Sequence, residues 1–236
     1  MTVIASLVLV VGLIMLTYPF YTDYQQDKKT NGLMQEARAN ALAEEEEDEK
    51  QEQKSQSEAT PEHDALTDTS ENQTEETGNL QKEIQAAEYS AEEGVQGEIQ
   101  IPGIALHLPI FPLATDEHLA DGATTVLSNQ TMGEGNYPIA GHNMREDGLL
   151  FSDIVDLEEG DKIFTTDYQS IYTFVVSGKQ EVNETETEVL DDRGKDEVTL
   201  ITCHPDKTIR EKRKIVRAQL QEKESFSIKA WERVEN

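Results

Sequence analysis

The alternation of apolar and polar positions divides the chain into three stretches. Residues 2–21 carry no charge and are mostly Val, Leu, Ile, Ala and aromatic. That is about the twenty apolar residues a helix needs to cross a hydrocarbon core of roughly 30 Å. They predict one N-terminal transmembrane helix, assigned to residues 1–22. A cleaved signal peptide is the competing reading. It asks for a shorter apolar core and a small-residue cleavage site directly after it, whereas Ala37-Arg38-Ala39 lies far downstream.

Over residues 23–96 apolar positions thin out and Glu, Gln, Ser, Thr and Ala dominate, with EEEEDEKQEQK running through residues 44–54. Little there can form a core, which predicts a solvated spacer, partly helical or disordered. Residues 80–93, with Leu80, Ile84 and Ala87 on one side, read as a helical piece within it. As a flexible coil of about seventy residues the spacer reaches on the order of 50 Å.

The third stretch, residues 97–236, is roughly 140 residues long, enough for one core. GEIQIPG alternates until Pro102, LHLPIF follows after one turn, and DEHLADGA reads as a short helix. NYPIAGHNM predicts a strand ending near His142, and LLFSDIVDL a helical turn or two with Leu150, Ile154 and Leu157 on one face. DKIFTTD, SIYTFVVSGKQEV, EVTLITC and KRKIVRAQL are rich in Val, Ile, Thr, Tyr and Phe and are separated by Gly, Asp and Asn, as strands are. The fold class is all-β with short helices, a barrel or a sandwich rather than a βαβ series.

Charge narrows the partners. The net charge is −28, and residues 44–93 hold 18 acidic against 3 basic side chains. Such a balance argues against nucleic acid or anionic lipid as a partner. Lys28 and Lys29 follow the apolar span and, by the positive-inside tendency, favour a cytoplasmic C-terminus; large domains are translocated with little regard to so small a bias. The chain has no internal repeat, no Gly-rich phosphate loop and no paired-cysteine metal motif. No cofactor and no metal are expected.

Cys203 is the one cysteine. A lone Cys in a strand is ordinarily a small buried hydrophobe, but a single thiol cannot form an intrachain disulfide, so outside the cell it would stay free unless it had a use. Along residues 198–203 alternation puts Val198, Leu200 and Thr202 on one face and Thr199, Ile201 and Cys203 on the other. Cys203 stands where the strand gives way to His204, Pro205 and Asp206, a rim position that can present a reactive group from a rigid element. Of five histidines, His63 falls in the spacer and His118 in a surface helix, while His107 lies among strand residues. His204 is adjacent to Cys203 and points to the opposite face. His142, ending an apolar strand between Gly141 and Asn143, is the best placed partner.

The segments YPIAGHNM, TLITC and EKRKIVRAQL, in that order, resemble the His, Cys and Arg motifs of class A sortases, the membrane-anchored transpeptidases of Gram-positive bacteria. The likeness extends from residue 97 to about 224: GEIQIPGIALHLPIF resembles the family's first two strands and GLLFSDIVDL its helix after the histidine. The resemblance implies an eight-stranded sortase β-barrel with the N-terminus inside and the catalytic domain outside a single-pass cell-membrane anchor. It implies a transpeptidase that cleaves an LPXTG-type sorting signal between Thr and Gly and passes the secreted protein to a peptidoglycan precursor amine. It carries over Cys203 as nucleophile, His142 as acid/base partner and Arg213, two residues before Ile215-Val216, as the positive group beside them. Arg210 and Arg217 are nearby alternatives.

Those three residue types suit acyl transfer. A thiolate attacks the Thr carbonyl, an imidazolium gives the departing amine its proton, and a guanidinium hydrogen-bonds the substrate carbonyl or its oxyanion. The sequence also departs from the family. Some class A sortases bind calcium through carboxylates before the catalytic histidine, whereas SNQTMGEGNYPIAGH offers only Glu134, with the acidic run at 181–188 able to supply part of a site from the facing loop; a calcium site usually needs more than one carboxylate. Two other functions stay open: a cysteine hydrolase that admits water, and a non-catalytic wall-binding module in which Cys203 is packing. The SHGC-type segment of an L,D-transpeptidase is absent. Oligomeric state and the exact sorting motif are not legible.

Overall fold

A computed structural model describes residues 28–43, 94–144 and 148–234; the predicted span at 2–21, the acidic run at 44–93 with its helix at 80–93, and His63 lie outside the described residues. No helix among the described residues is long and apolar enough to cross a membrane. The strands are β1 (Gly97–Ile101), β2 (Leu106–Phe111), β3 (Ala123–Thr125), β4 (Asn136–Ala140), β5 (Lys162–Thr166), β6 (Ser170–Asn183), β7 (Glu197–Cys203) and β8 (Lys212–Ser225). They close into a barrel in the order β1-β2-β3-β4-β7-β8-β6-β5. Helix α1 covers residues 28–43, α2 is Asp116–Asp121 and α3 is Ile228–Glu232, with 3-10 turns at Pro102–Ile104, Asp153–Asp156 and Thr187–Val189. The described residues up to 41 and those from 94 onward belong to one compact unit.

The period-2 pattern fills the barrel. Ile99, Ile101, Ile110, Ile139, Ile163, Phe174, Leu200 and Val216 point inward and form one core with Phe151, Ile154 and Leu157. Strand runs that alternate in sequence do so because one face takes this core and the other faces outward. Most pairings are antiparallel, but β2–β3 and β4–β7 are parallel. Parallel neighbours need crossover connections. For β2–β3 this is the segment carrying α2, with Thr115 accepting a bond from the His118 N–H at its N-terminus. For β4–β7 it is the whole β5–β6 excursion.

Two details differ from the pattern read off the sequence. The strand before His142 stops at Ala140, since Gly141 comes against the Phe151 ring so closely that a Cβ there would lie 2.5 Å from it. After His142 only a 3-10 turn forms. Ile154 and Leu157 are buried as expected, but Leu150 sits at a positive φ of 48° and Phe151 takes the core position instead.

The outer face of β1 is not solvated: all five of its residues are buried. One reason is α1, in which Thr30 and Met34 are buried and Leu33, Ala37, Arg38 and Ala41 half-buried, the i, i+3, i+4, i+7 stripe of a docked helix. The sequence reading left residues 28–43 within the spacer. Their stripe is short and mixes Thr, Ala and Arg with only two larger apolar residues, Leu33 and Met34, so it stands out weakly beside the Glu-rich run that follows. At the centre of this face the fully buried Glu98 takes a bidentate pair from Arg38 of α1 at 2.6 and 2.5 Å, a bond from Trp231 Nε1 of α3 at 3.0 Å, and a contact with His107 of β2 at 2.6 Å. Lys29 adds a surface pair with Asp121 of α2 at 2.6 Å. Burial alone would push the Glu98 carboxyl up. The hydrogen bonds and charges of Arg38 and His107 together outweigh it and leave the carboxyl below its ordinary 4.5.

Two outcomes follow for this cluster. Arg38→Ala leaves a buried carboxylate without its arginine, and should cost about 3 kcal/mol of unfolding free energy in denaturant titrations. Because the folded-state pKa of Glu98 is depressed, its contribution is complete above about 4.5 and is lost as pH falls through the lowered value. Stability measured from pH 7 down to 3 should therefore fall more steeply for the native chain than for Glu98→Gln.

Candidate active site

The site begins with how β4, β7 and β8 lie side by side. Parallel pairing matches Asn136 with Glu197, Pro138 with Thr199 and Ala140 with Ile201. Antiparallel pairing matches Thr199 with Arg217, Ile201 with Ile215 and Cys203 with Arg213. Tyr137, Ile139, Val198, Leu200, Val216 and Ala218 point into the core, so the alternate set faces out. The outer face is thus built of rungs: Pro138–Thr199–Arg217, then Ala140–Ile201–Ile215. Beyond Ala140 the chain still runs beside β7, with the Gly141 N–H bonded to the Ile201 carbonyl, and leads to His142, while the β7–β8 ladder ends on the rung Cys203–Arg213.

Local bonds hold each member. Past the end of β4, Gly141 donates to the Ile201 carbonyl at 3.1 Å and accepts from the Thr202 hydroxyl at 2.8 Å, while the His142 carbonyl accepts from Phe151 at 2.9 Å. His142 is exposed. Cys203, the last residue of β7, is exposed too, on the face that alternation assigned it. Arg213 is anchored: Nη1 donates to the Arg210 and Lys212 carbonyls at 2.7 and 3.0 Å, and Nη2 donates to Glu184 at 2.6 Å. A guanidinium has five N–H donors, and these bonds use three of them.

Of the competing arginines, one is engaged elsewhere and the other is on an exposed turn. Arg217 lies four residues along β8, about 13 Å from Arg213 at about 3.3 Å per residue, and faces the buried Glu197 at 3.5 Å; burial pushes its pKa down. Arg210 is exposed on the β7–β8 turn. The other described histidines have structural partners. His107 joins Glu98, and His118 stacks on Phe111 with ring centroids 5.0 Å apart and bonds the Pro112 carbonyl. His204 Nδ1 accepts from the Asp206 N–H at 3.0 Å, which leaves Nε2 to carry the proton facing Glu181 at 3.3 Å. Hydrogen bonds from Thr208 hold the Asp206 carboxyl below its ordinary value and order the same turn.

Sequence reasoning missed the residues that support the rung. Glu181 pairs with Lys214 at 2.8 Å, which holds its carboxyl low, and Glu184 reaches Arg213; in sequence both look like part of a solvated acidic run. Ser152 Oγ accepts from the Met144 N–H at 2.9 Å and fixes the chain just beyond His142. Val182, Val189 and Ile215 form a small apolar cluster outside the barrel, joined by Leu190 and Ile201. Among the described residues no group of three or more His, Cys, Asp or Glu is arranged to hold a metal ion.

Known proteins match both the sequence and this architecture. A family model described as the sortase domain covers residues 99–221. Sortase A of Bacillus anthracis is 36% identical over 202 residues, 86% of this chain and 86% of that protein. Sortase A of Listeria monocytogenes is 30% identical over 200 residues, 85% and 82% of the two chains. The solved structure of Listeria monocytogenes sortase A matches with a TM-score of 0.57 at 36% identity, covering 60% of this chain and 97% of that one. Sortase C of Clostridium perfringens, solved with the C-terminal cell wall sorting motif, matches at 0.50 and 27%, covering 55% and 72%. The domain match, the closed eight-stranded barrel and the likeness to sortase A over most of the chain agree: this protein belongs to the sortase family and is a cysteine transpeptidase of cell-wall sorting.

Proposed function

We propose that this transpeptidase cleaves an LPXTG-type sorting signal between Thr and Gly, with Cys203 as nucleophile, His142 as acid and base, and Arg213 as the oxyanion and substrate-carbonyl donor. The observation that carries the reading is that exposed Cys203 ends β7 paired with Arg213 of β8, while β4, running parallel beside β7, leads toward His142. The thiolate adds to the Thr carbonyl carbon and the oxygen takes up the negative charge within reach of the guanidinium. His142 as imidazolium protonates the glycine amine as the C–N bond breaks, leaving a thioester on Cys203. An incoming wall amine then attacks the thioester, gives its proton to the imidazole, and leaves with the new amide while the thiolate returns. Arg213 is already held by two carbonyls, so its fork is preorganised. Its pair with Glu184, whose side chain is half exposed, is of the kind worth about 0–1 kcal/mol and so is readily displaced by substrate.

The remaining assignments go with this reading. Residues 2–21 form the single-pass anchor, residues 44–93 a spacer, and the barrel works on the outer side of the cell membrane. The clients are secreted proteins bearing the signal, and the acceptor is a peptidoglycan precursor amine. The sortase C structure that carries a cell wall sorting motif lends support from a relative.

The defining experiment mixes the protein with an LPXTG-containing peptide and a small amine and weighs the products. The amine adduct should predominate over the free acid. Acid alone, insensitive to added amine, would make this chain a hydrolase. The protein should begin at residue 28 and not at 97, because the shorter form strips Arg38 from Glu98.

Single substitutions separate the roles. Cys203 is exposed, so Cys203→Ala should change stability by less than about 0.5 kcal/mol while abolishing the thioester. His142→Ala should stay folded and lose nearly all turnover. Arg213→Lys keeps the charge but not the planar fork, and should lower kcat/KM on the order of 10²-fold. A near-native Arg213→Lys beside a crippled Arg210→Lys or Arg217→Lys would move the role to another arginine.

Calcium should not matter. Turnover in millimolar calcium and in chelator should agree within about twofold, since such an ion asks for several oxygen ligands. A reversible severalfold stimulation would point to Glu134 with the acidic loop at 181–188.

A further inference from the structure

The segment joining β6 to β7, residues 184–196, lies beside the end of β7, and the middle of it is attached to the barrel through one buried side chain. Asn136, the first residue of β4, is 7% exposed. Its Nδ2 donates to the carbonyls of Val189 at 3.0 Å and Asp191 at 3.2 Å, and its Oδ1 accepts from the Thr199 hydroxyl at 2.7 Å. Thr199 is itself fully buried. With Oδ1 taken by a donor, the amide is oriented: both Nδ2 hydrogens face the segment, and a flipped amide would set its oxygen against two carbonyl oxygens. Gly135 adds a second tie, donating to Asp196 Oδ1 at 2.9 Å and accepting from the Glu197 N–H at 2.8 Å.

What these bonds hold in place is an apolar cover. Val189 and Leu190 pack with Val182 and Ile215 and against Ile201, on the rung next to Cys203 and Arg213. The start of the segment is tied to the other side of the rung, where the Glu184 N–H donates to the Glu211 carbonyl at 2.7 Å and its carboxylate meets Arg213. The middle is tied by Asn136, at the foot of the strand that leads to His142, and the far end by Gly135 together with the bidentate pair from Arg193 to the buried Glu197 and the bond from the Leu220 N–H to the Asp196 carbonyl.

We propose that Asn136 is a positioning residue for the transpeptidation: its amide latches the β6–β7 segment over Ile201 and Ile215, so that the wall a bound peptide meets beside Cys203 is formed before the peptide arrives. This rests on the reading of Cys203 as the reacting centre. Asn136 touches neither substrate nor the reacting atoms and acts only through the segment. A wall already ordered spares the ordering cost at binding, so loss of the latch weakens peptide binding and leaves chemistry at saturation intact. That signature is a raised KM with kcat kept.

The test uses the full chain with Asn136→Ser and, separately, Thr199→Val, which removes only the hydroxyl that orients the amide. Hydrogen exchange is followed at Leu190 and Asp191, whose N–H groups bond the Thr187 and Glu188 carbonyls, and in β4, β7 and β8. Asn136→Ser should speed exchange in the segment about tenfold, the range expected from losing hydrogen bonds of ordinary net strength, while the strands stay protected. KM for an LPXTG-type peptide should rise about three- to tenfold with kcat within twofold, and Thr199→Val should shift both quantities the same way by less. Segment exchange unchanged in a folded variant overturns the latch, as does faster exchange with KM unmoved. Should Asn136→Ser fail to fold, Thr199→Val decides on the same two readouts. A native protein that turns over no sorting peptide would instead sink the proposed activity, and the exchange data alone would then judge the latch.

Discussion

The site depends on one constraint, the parallel pairing of β4 with β7 in a register fixed by five residue pairs. A slip of one residue would turn Tyr137 and Ile139 out of the core and send Asn136, Pro138 and Ala140 into it. That costs the barrel much of its apolar burial on this strand, so the core that stabilises the fold also fixes where the chain emerges beyond Ala140. The same register directs the chain toward His142 along the edge of β7. Since β8 pairs with β7 by an equally committed antiparallel ladder, Arg213 is placed beside Cys203 by the inward packing of Val216 and Ala218. The Cys203–Arg213 rung is therefore positioned by core residues on neighbouring strands.

This explains what was legible in the sequence. Period-2 patterning is strong wherever one face meets the core, so the principal strands, the outward direction of Cys203 and the short helix at Asp116–Asp121 were readable. The motifs around His142, Cys203 and Arg213 gave the family and with it the barrel. Closure, strand order and the parallel β4–β7 pair are long-range facts that periodicity does not carry. The supporting contacts were hidden for a different reason. Glu181 and Glu184 lie in a run whose composition is that of a solvated loop, and only the fold reveals that Lys214 and Arg213 stand opposite them. Helix α1 was obscured in the same way by its neighbours, and the burial of Glu98 by its place as a polar position in an alternating strand.

Glu98 shows how the barrel's far side is closed. A buried carboxylate is costly on its own, and is tolerated because arginine, indole and imidazole converge on it from α1, α3 and β2. The partners are distant in sequence: Arg38 precedes Glu98 by sixty residues and Trp231 follows it by one hundred and thirty-three. The pair thus ties both ends of the described chain to the first strand. A hydrophobic patch could cover the same area, but it would not specify which side chain of α1 meets β1. The bidentate geometry does.

The two faces of the β4–β7–β8 surface divide labour along their length. At the β4 foot the outward residues are sealed: Glu197 and Thr199 are fully buried and Asn136 nearly so, because the β6–β7 segment lies over them. Toward the other end the cover thins, Ile201 is half-buried, and Cys203 is exposed. An exposed thiol at one end and a sealed polar cluster at the other suit a transpeptidase. Under the proposed reading of Cys203 as nucleophile, that thiol has to be reachable by two reactants in turn, so it cannot sit in a closed pocket. Order then comes from the elements around it: the strand ladder beneath, and the β6–β7 segment tied by the hydrogen bonds of Asn136, Thr199 and Gly135.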